Sequence, residues 1–101
     1  MLCKGALLLA LNTIAFAADD ALATVYQDFG LRGLNQSIYT KDCLKVEEQL
    51  KYHIRSISIS KGFACTFFSD VACKADLYEI DGTDIYILPS PKADGIRCQE
   101  A

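Results

Sequence analysis

The segment RSISISKG, residues 55–62, alternates without a break: Ile57 and Ile59 fall on one face, Ser56, Ser58 and Ser60 on the other. A period of two is the mark of a half-buried strand. Similar short runs recur as ATVYQ (23–27), ACTFFS (64–69), DLYEI (76–80), DIYIL (84–88) and GIRC (95–98). Turn residues separate them at Asp28-Phe29-Gly30, Lys61-Gly62 and Asp81-Gly82. Asp-Gly between alternating runs predicts a hairpin at Asp81-Gly82, because both turn positions favour positive φ. Only CLKVEEQLKY (43–52) departs from the pattern. Leu44, Glu47, Glu48 and Lys51 predict a loop carrying a short helix, with Glu47 and Lys51 spaced for an ion pair. Pro89 and Pro91 mark a second irregular connection.

The pattern is written twice. VYQDFGLRG (25–33) lies over FFSDVACKA (67–75) at an offset of 42, with Tyr26 on Phe68, Asp28 on Asp70 and Gly33 on Ala75. SISI (56–59) lies over GIRC (95–98) at an offset of 39. Two such copies, about 23–61 and about 62–101, each with four strands, predict an all-β, two-sheet Greek-key sandwich built by duplication.

The first residues, MLCKGALLLALNTIAFAADD, have the layout of a secretory signal peptide: a cation at Lys4, an apolar stretch, then Ala15-Phe16-Ala17. A membrane-spanning helix needs about 20 apolar residues, and Asn12 and Thr13 interrupt this shorter run. The expectation is a leader over 1–17, no membrane anchor, and a single secreted domain over 18–101. Cleavage removes Cys3 and leaves Cys43, Cys65, Cys73 and Cys98, an even count that reads as two disulfides. A domain of this size buries only about 60–65% of its unfolded surface, so disulfides are its usual supplement. A zinc site would call for paired C-x-x-C spacing, which is absent. Loss of Lys4 takes the formal charge from −3 to −4. That balance argues against nucleic acid and against docking on anionic lipid.

Four cysteines allow three pairings. The expected one joins Cys65 to Cys73, clasping the hairpin in GFACTFFSDVACKAD (62–76), and Cys43 to Cys98, tying the first copy's loop to the last strand.

These residues resemble the βγ-crystallin-like Greek-key domains, and more narrowly the small secreted, cysteine-containing proteins of filamentous fungi built on that fold. The family hairpin reads aromatic, four residues, aromatic, one residue, glycine. Tyr26, Leu31 and Gly33 fill those places in the first copy, and Phe68, Cys73 and Ala75 in the second. The fungal subgroup often carries a stretch like CTFFSDVAC, its second cysteine in the aromatic's place. In the second copy a Cys65–Cys73 bridge would stand in for the missing glycine. The resemblance covers essentially all of 18–101, and it implies a non-enzymatic extracellular binding protein, a candidate effector, acting as a monomer on a protein or glycan. Alternatives are an antimicrobial or killer-toxin-like protein acting on cell walls or membranes, and a protease inhibitor using Lys74 beside Cys73. Calcium-binding relatives carry adjacent Asp/Asn residues at the positions of Lys51-Tyr52-His53-Ile54-Arg55-Ser56 and Ser90-Pro91-Lys92-Ala93-Asp94-Gly95. The acidic pair is missing in both, and Arg55 adds a repelling charge, so neither metal nor cofactor is expected.

Asn35-Gln36-Ser37 is an N-glycosylation sequon, plausible on an outward strand face. His53, the one histidine, has no evident partner for acid–base work and reads as an exposed loop residue. Phe63, Phe67, Phe68 and Tyr78 read as core; Tyr39, Tyr52 and Tyr86, with Lys92, are candidates for surface contact. Specificity is expected in loops 41–53 and 81–94.

Overall fold

The computed structural model describes residues 21–82 and 84–101. The expected leader over 1–17 lies outside the described residues.

Eight strands follow in order: β1 (Ala23–Asp28), β2 (Arg32–Ile38), β3 (Leu44–Lys45), β4 (Ser56–Ile59), β5 (Phe63–Phe68), β6 (Asp76–Asp81), β7 (Asp84–Ile85) and β8 (Gly95–Glu100). They form two four-stranded antiparallel sheets, ordered β2-β1-β4-β7 and β3-β8-β5-β6. Each sheet thus takes three strands from one copy and its remaining edge strand from the other. The duplication read at offsets 42 and 39 is reproduced in the register. Tyr26 faces Ser56 and Val25 faces Ile57 in the first sheet; Phe68 faces Gly95 and Phe67 faces Ile96 in the second. Even the bonds just beyond the strands repeat: Arg55 N donates to Tyr26 O at 2.9 Å, and Asp94 N to Phe68 O at 2.8 Å.

The core forms where the inward faces meet. Val25, Ile38 and Ile57 of the first sheet, and Cys65, Phe67, Ile96 and Cys98 of the second, are at most 1% exposed. Val46, Leu50, Ile54, Leu88 and Ala93 from the connecting loops belong to the same cluster. A fully buried side chain of the Val-to-Phe class stabilises the fold by about 1.5–3 kcal/mol. Ile57 and Ile59 point inward as alternation requires, but Ser56 is also wholly buried. Its hydroxyl donates to Asp28 O at 2.6 Å and accepts from Leu31 N at 2.9 Å, which removes the penalty of burying it.

Three expectations are corrected. No helix forms over 43–52: Leu44–Lys45 becomes β3, and the remainder is a pair of turns closed by Leu50 N to Glu47 O and His53 N to Leu50 O. Main-chain pairing with β8 outweighs a local helical preference only a few residues long. Lys51 meets Asp94, not Glu47. Asp81-Gly82 does not join a hairpin either, since β6 and β7 lie in different sheets; Gly82, at φ 104°, turns the chain across the sandwich.

The disulfide pairing is the third. Cys65 bonds Cys98, and Cys43 bonds Cys73. Cys65 and Cys98 are direct cross-strand neighbours on β5 and β8, with Cα atoms 4.0 Å apart. Cys73 lies on the far side of the β5–β6 hairpin. Cys65 sits three residues back from the end of β5, roughly 10 Å at strand rise, so the short clasp cannot close. The hairpin places the Cys73 sulfur beside Gly95, 3.3 Å from where a Cβ would stand. Lys45 of β3 pairs with that same Gly95, which brings Cys43 within reach, at a Cα separation of 6.0 Å.

Nor does a Cys65–Cys73 bridge replace the glycine missing from the second hairpin. In the first copy Gly33 adopts φ 87°, where a Cβ would meet Asp28 Oδ2 at 2.7 Å. In the second, Ala75 takes an ordinary φ, and the Asp70 carboxylate accepts from Lys74 N at 2.9 Å and Ala75 N at 3.0 Å. Those backbone donors, Ala75 first, hold the Asp70 carboxyl below its ordinary range. Leu31 and Cys73, at φ 62° and 57°, turn left-handed at matching places.

Candidate functional site

Two loops meet where the sheets close. Residues 46–54 and 89–94 are tied by Ile54 N to Pro91 O at 3.2 Å and by Val46 N to Asp94 O at 3.0 Å. With the β5–β6 hairpin they enclose a groove of about 450 Å³ lined by Tyr52, Ser69, Leu77, Lys92, Ala93 and Asp94. Tyr52 is raised onto the rim by a left-handed backbone, φ 66°. Lys51 Nζ stands 3.8 Å from Asp94 Oδ1 and 5.7 Å from the centre of the Tyr52 ring. Asp94 Oδ1 is buried and accepts no hydrogen bond. Nearby, Tyr78 stacks on Phe67 with ring centres 4.8 Å apart and donates to Ser90 O at 2.8 Å, bracing the loop that carries Lys92. Burial pushes the Tyr78 hydroxyl up to about 12, so the brace keeps its proton well past neutral pH.

The first copy differs at one residue of the corresponding place. At an offset of 39, Asp94 corresponds to Arg55. The Arg55 guanidinium folds back over its own copy: Nη1 donates to Gln27 O at 3.1 Å, and Cζ lies 5.8 Å from the centre of the Phe29 ring.

Of the residues expected at the surface, the groove unites Tyr52 with Lys92. Tyr39 and Tyr86, 58% and 56% exposed, lie elsewhere and apart. Tyr39 follows Ile38, which pairs with Ala23 at one end of β1; Tyr86 O accepts from Gly30 N beyond the other end. The three tyrosines therefore make no common patch. Asn35 is exposed on β2, an edge strand, its amide donating to Gly33 O at 3.3 Å. His53 is exposed in its loop. Lys74 is exposed, but its backbone is folded into the hairpin against Asp70. Among the described residues, no three His, Cys, Asp or Glu side chains gather as metal ligands would. Lys51 and Asp94 fall within the loops expected to carry specificity but are not singled out for contact by the sequence, and Ser69 and Leu77 lie outside both loops. The signal for Asp94 was its alignment with Arg55, where one copy carries a long cation and the other a short anion.

No family model matches the chain, and no curated protein matches it in sequence. Solved structures share its fold. A βγ-crystallin domain from Flavobacterium johnsoniae is similar with a TM-score of 0.67 and 21% identity, over 78% of this chain and 94% of that one. The N-terminal domain of Protein S gives 0.64 and 15%, over 78% and 96%. A βγ-crystallin domain from Clostridium beijerinckii gives 0.62 and 12%, over 76% and 95%. The chain has the two-sheet Greek-key fold of the βγ-crystallin type, closed by two disulfides.

Proposed function

We propose that this chain is a small secreted binding module, a candidate effector of the fungal type that its cysteine-bearing hairpin resembles. It acts outside the cell by stoichiometric contact and not by turnover. The observation that carries the reading is the groove. Aromatic, aliphatic, cationic and anionic side chains converge there on loops pinned by main-chain bonds to both sheets. Recognition sites are commonly mixed loop surfaces on a rigid frame. Two disulfides fit an oxidising compartment. The sequon at Asn35 lies exposed on an edge strand, where a glycan can be accommodated.

The toxin alternative draws no support from a chain of net charge −3, since attack on anionic surfaces favours cations. Inhibition through Lys74 would call for an extended loop to lie in a protease cleft, whereas Cys73 beside it is left-handed.

The test is capture from extracellular extracts by the immobilised, disulfide-intact chain. Tyr52→Ala and Lys92→Glu are each expected to reduce capture by about tenfold, which corresponds to 1.4 kcal/mol. Both residues are exposed, so unfolding free energy should stay within about 0.5 kcal/mol. Turnover of a peptide, glycan or lipid that survives repurification and disappears in His53→Ala would establish an enzyme instead.

A further inference from the structure

The chemistry of the groove narrows the ligand. Its charges are unevenly committed. Lys51 is engaged with Asp94 at 3.8 Å, while Lys92 forms no ion pair among the described residues. The groove therefore offers one uncommitted positive charge at its rim. Asp94 turns Oδ1 inward, where it is buried without a hydrogen bond and faces Lys51, while 21% of the side chain remains exposed beside the groove. The exposed part of this carboxylate can accept a charge-assisted hydrogen bond from a ligand hydroxyl. Between these polar points lie the Tyr52 ring, Leu77 and Ala93, an apolar wall.

We propose that this groove binds an acidic saccharide. Its carboxylate would meet Lys92, its hydroxyls would donate to Asp94 and Ser69, and the C–H face of its ring would lie on Tyr52 and Leu77. This rests on the groove being the contact site. A cationic ligand would face both Lys51 and Lys92. A neutral sugar leaves Lys92 unanswered, and an apolar peptide side chain brings no donor to the exposed part of Asp94. A sugar acid answers all three features. The volume, about 450 Å³, falls within the range of about 300–1,000 Å³ that small-ligand sites occupy. At the matching position the first copy carries Arg55, whose guanidinium donates to Gln27 O, so the Asp94 contact proposed here has no counterpart there. The chain's net charge of −3 opposes the approach of an anion at long range, so affinity rests on the short-range contacts.

The experiment is calorimetric titration of the disulfide-intact protein with trisaccharides of galacturonate, glucuronate and mannuronate, each beside its own methyl ester. The ester keeps the ring and hydroxyls and removes the charge. At least one free acid is expected to bind, with its ester about tenfold weaker or worse, the size of one charge-assisted hydrogen bond. Lys92→Gln should weaken the acid to the level of the ester and leave the ester unchanged. Tyr52→Ala should weaken both about equally, and melting curves of the variants should overlay the parent. Equal binding of acid and ester, or an acid response untouched by Lys92→Gln, overturns the inference. So does failure of all three acids to bind more tightly than ~1 mM. If extract capture still depends on Tyr52 and Lys92 while every saccharide fails, the groove is a protein-contact site. The ligand assignment then falls and the binding-module reading stands.

Discussion

The two sheets are copies of one plan held together by different means. In the first sheet the pair at the open end of the central strands is Ala23 with Ile59; in the second, the matching pair is Cys65 with Cys98. The edge strand borrowed from the other copy differs in the same direction. The Leu44–Ile96 register in the second sheet matches Ile85–Ile57 in the first, so Cys43, one residue before Leu44, falls at the place of Asp84. Cys43 is covalently bound to Cys73, whereas Asp84 accepts a single hydrogen bond from Ser58 Oγ at 2.8 Å. All four bridging cysteines thus serve the second sheet. Duplication supplied two equivalent frames, and one was tightened covalently while the other kept van der Waals packing and hydrogen bonds. The groove lies against the tightened frame, where the loop carrying Lys92 and Asp94 runs into β8. Rigid support at a binding site lowers the ordering cost of recognition.

The largest test of this contrast is removal of each bridge. The bridges span 30 and 33 residues, so the chain-entropy model assigns each about 3.5 kcal/mol. Cys65 and Cys98 are completely buried, and their replacement also disturbs the core. The double variant Cys65→Ala, Cys98→Ala should lose about 4–5 kcal/mol, and Cys43→Ala, Cys73→Ala about 3–4. Guanidinium midpoints at constant slope measure both. The reverse order would break the comparison by making the bridge to the borrowed strand the dominant one.

A smaller effect separates the two hairpins. Ser56 anchors the first through its hydroxyl, and its counterpart is Gly95, where a Cβ would lie 2.5 Å from Asp70 O. Gly95→Ser should cost about 2–3 kcal/mol through that clash. Ser56→Ala should cost about 1–2 by leaving Leu31 N without its acceptor. For a domain this size, 1 kcal/mol moves Tm by roughly 4–8 °C. A neutral Gly95→Ser would show that both hairpins tolerate one design.

The smallest expected effect is none. Millimolar calcium should leave Tm unchanged, because neither loop 51–56 nor loop 90–95 carries the adjacent acids that a hard cation needs. A cation bound only by the folded state would add about 2.7 kcal/mol at a hundredfold excess over Kd. A rise of several degrees, reversed by a chelator, would give the loop with Asp94 a different role.

The repeat was legible because pairing partners sit at matching places: the alignments of Tyr26 with Phe68 and of SISI with GIRC both reappear as cross-strand register. Strand β2 was harder to read, since RGLNQSI is an edge strand exposed over most of its length and shows no clean alternation. Leu44–Lys45 and Asp81-Gly82 misled for one shared reason. Local pattern reports helix or hairpin preference but says nothing of which sheet a segment joins, and both segments lie where the chain changes sheets. The cysteine pairing failed on the same ground. Proximity in sequence suggested Cys65 with Cys73, while proximity in space follows the β5–β8 register. For the groove, Tyr52 and Lys92 were singled out individually. What joins them is the bond from Ile54 N to Pro91 O, invisible until the two loops are placed.

The exchange of β3 and β7 has a consequence for how such a molecule comes apart. A chain cut between Lys61 and Gly62 would give two fragments, each lacking an edge strand that only the other can donate. Neither would be a finished object, yet together they hold every strand of both sheets, with the Cys43–Cys73 bond crossing the cut as a rivet. The halves are therefore complementary parts and not separable modules. Melting should proceed in one step, and a proteolytic nick at that junction would leave the halves covalently joined until the Cys43–Cys73 bond is reduced.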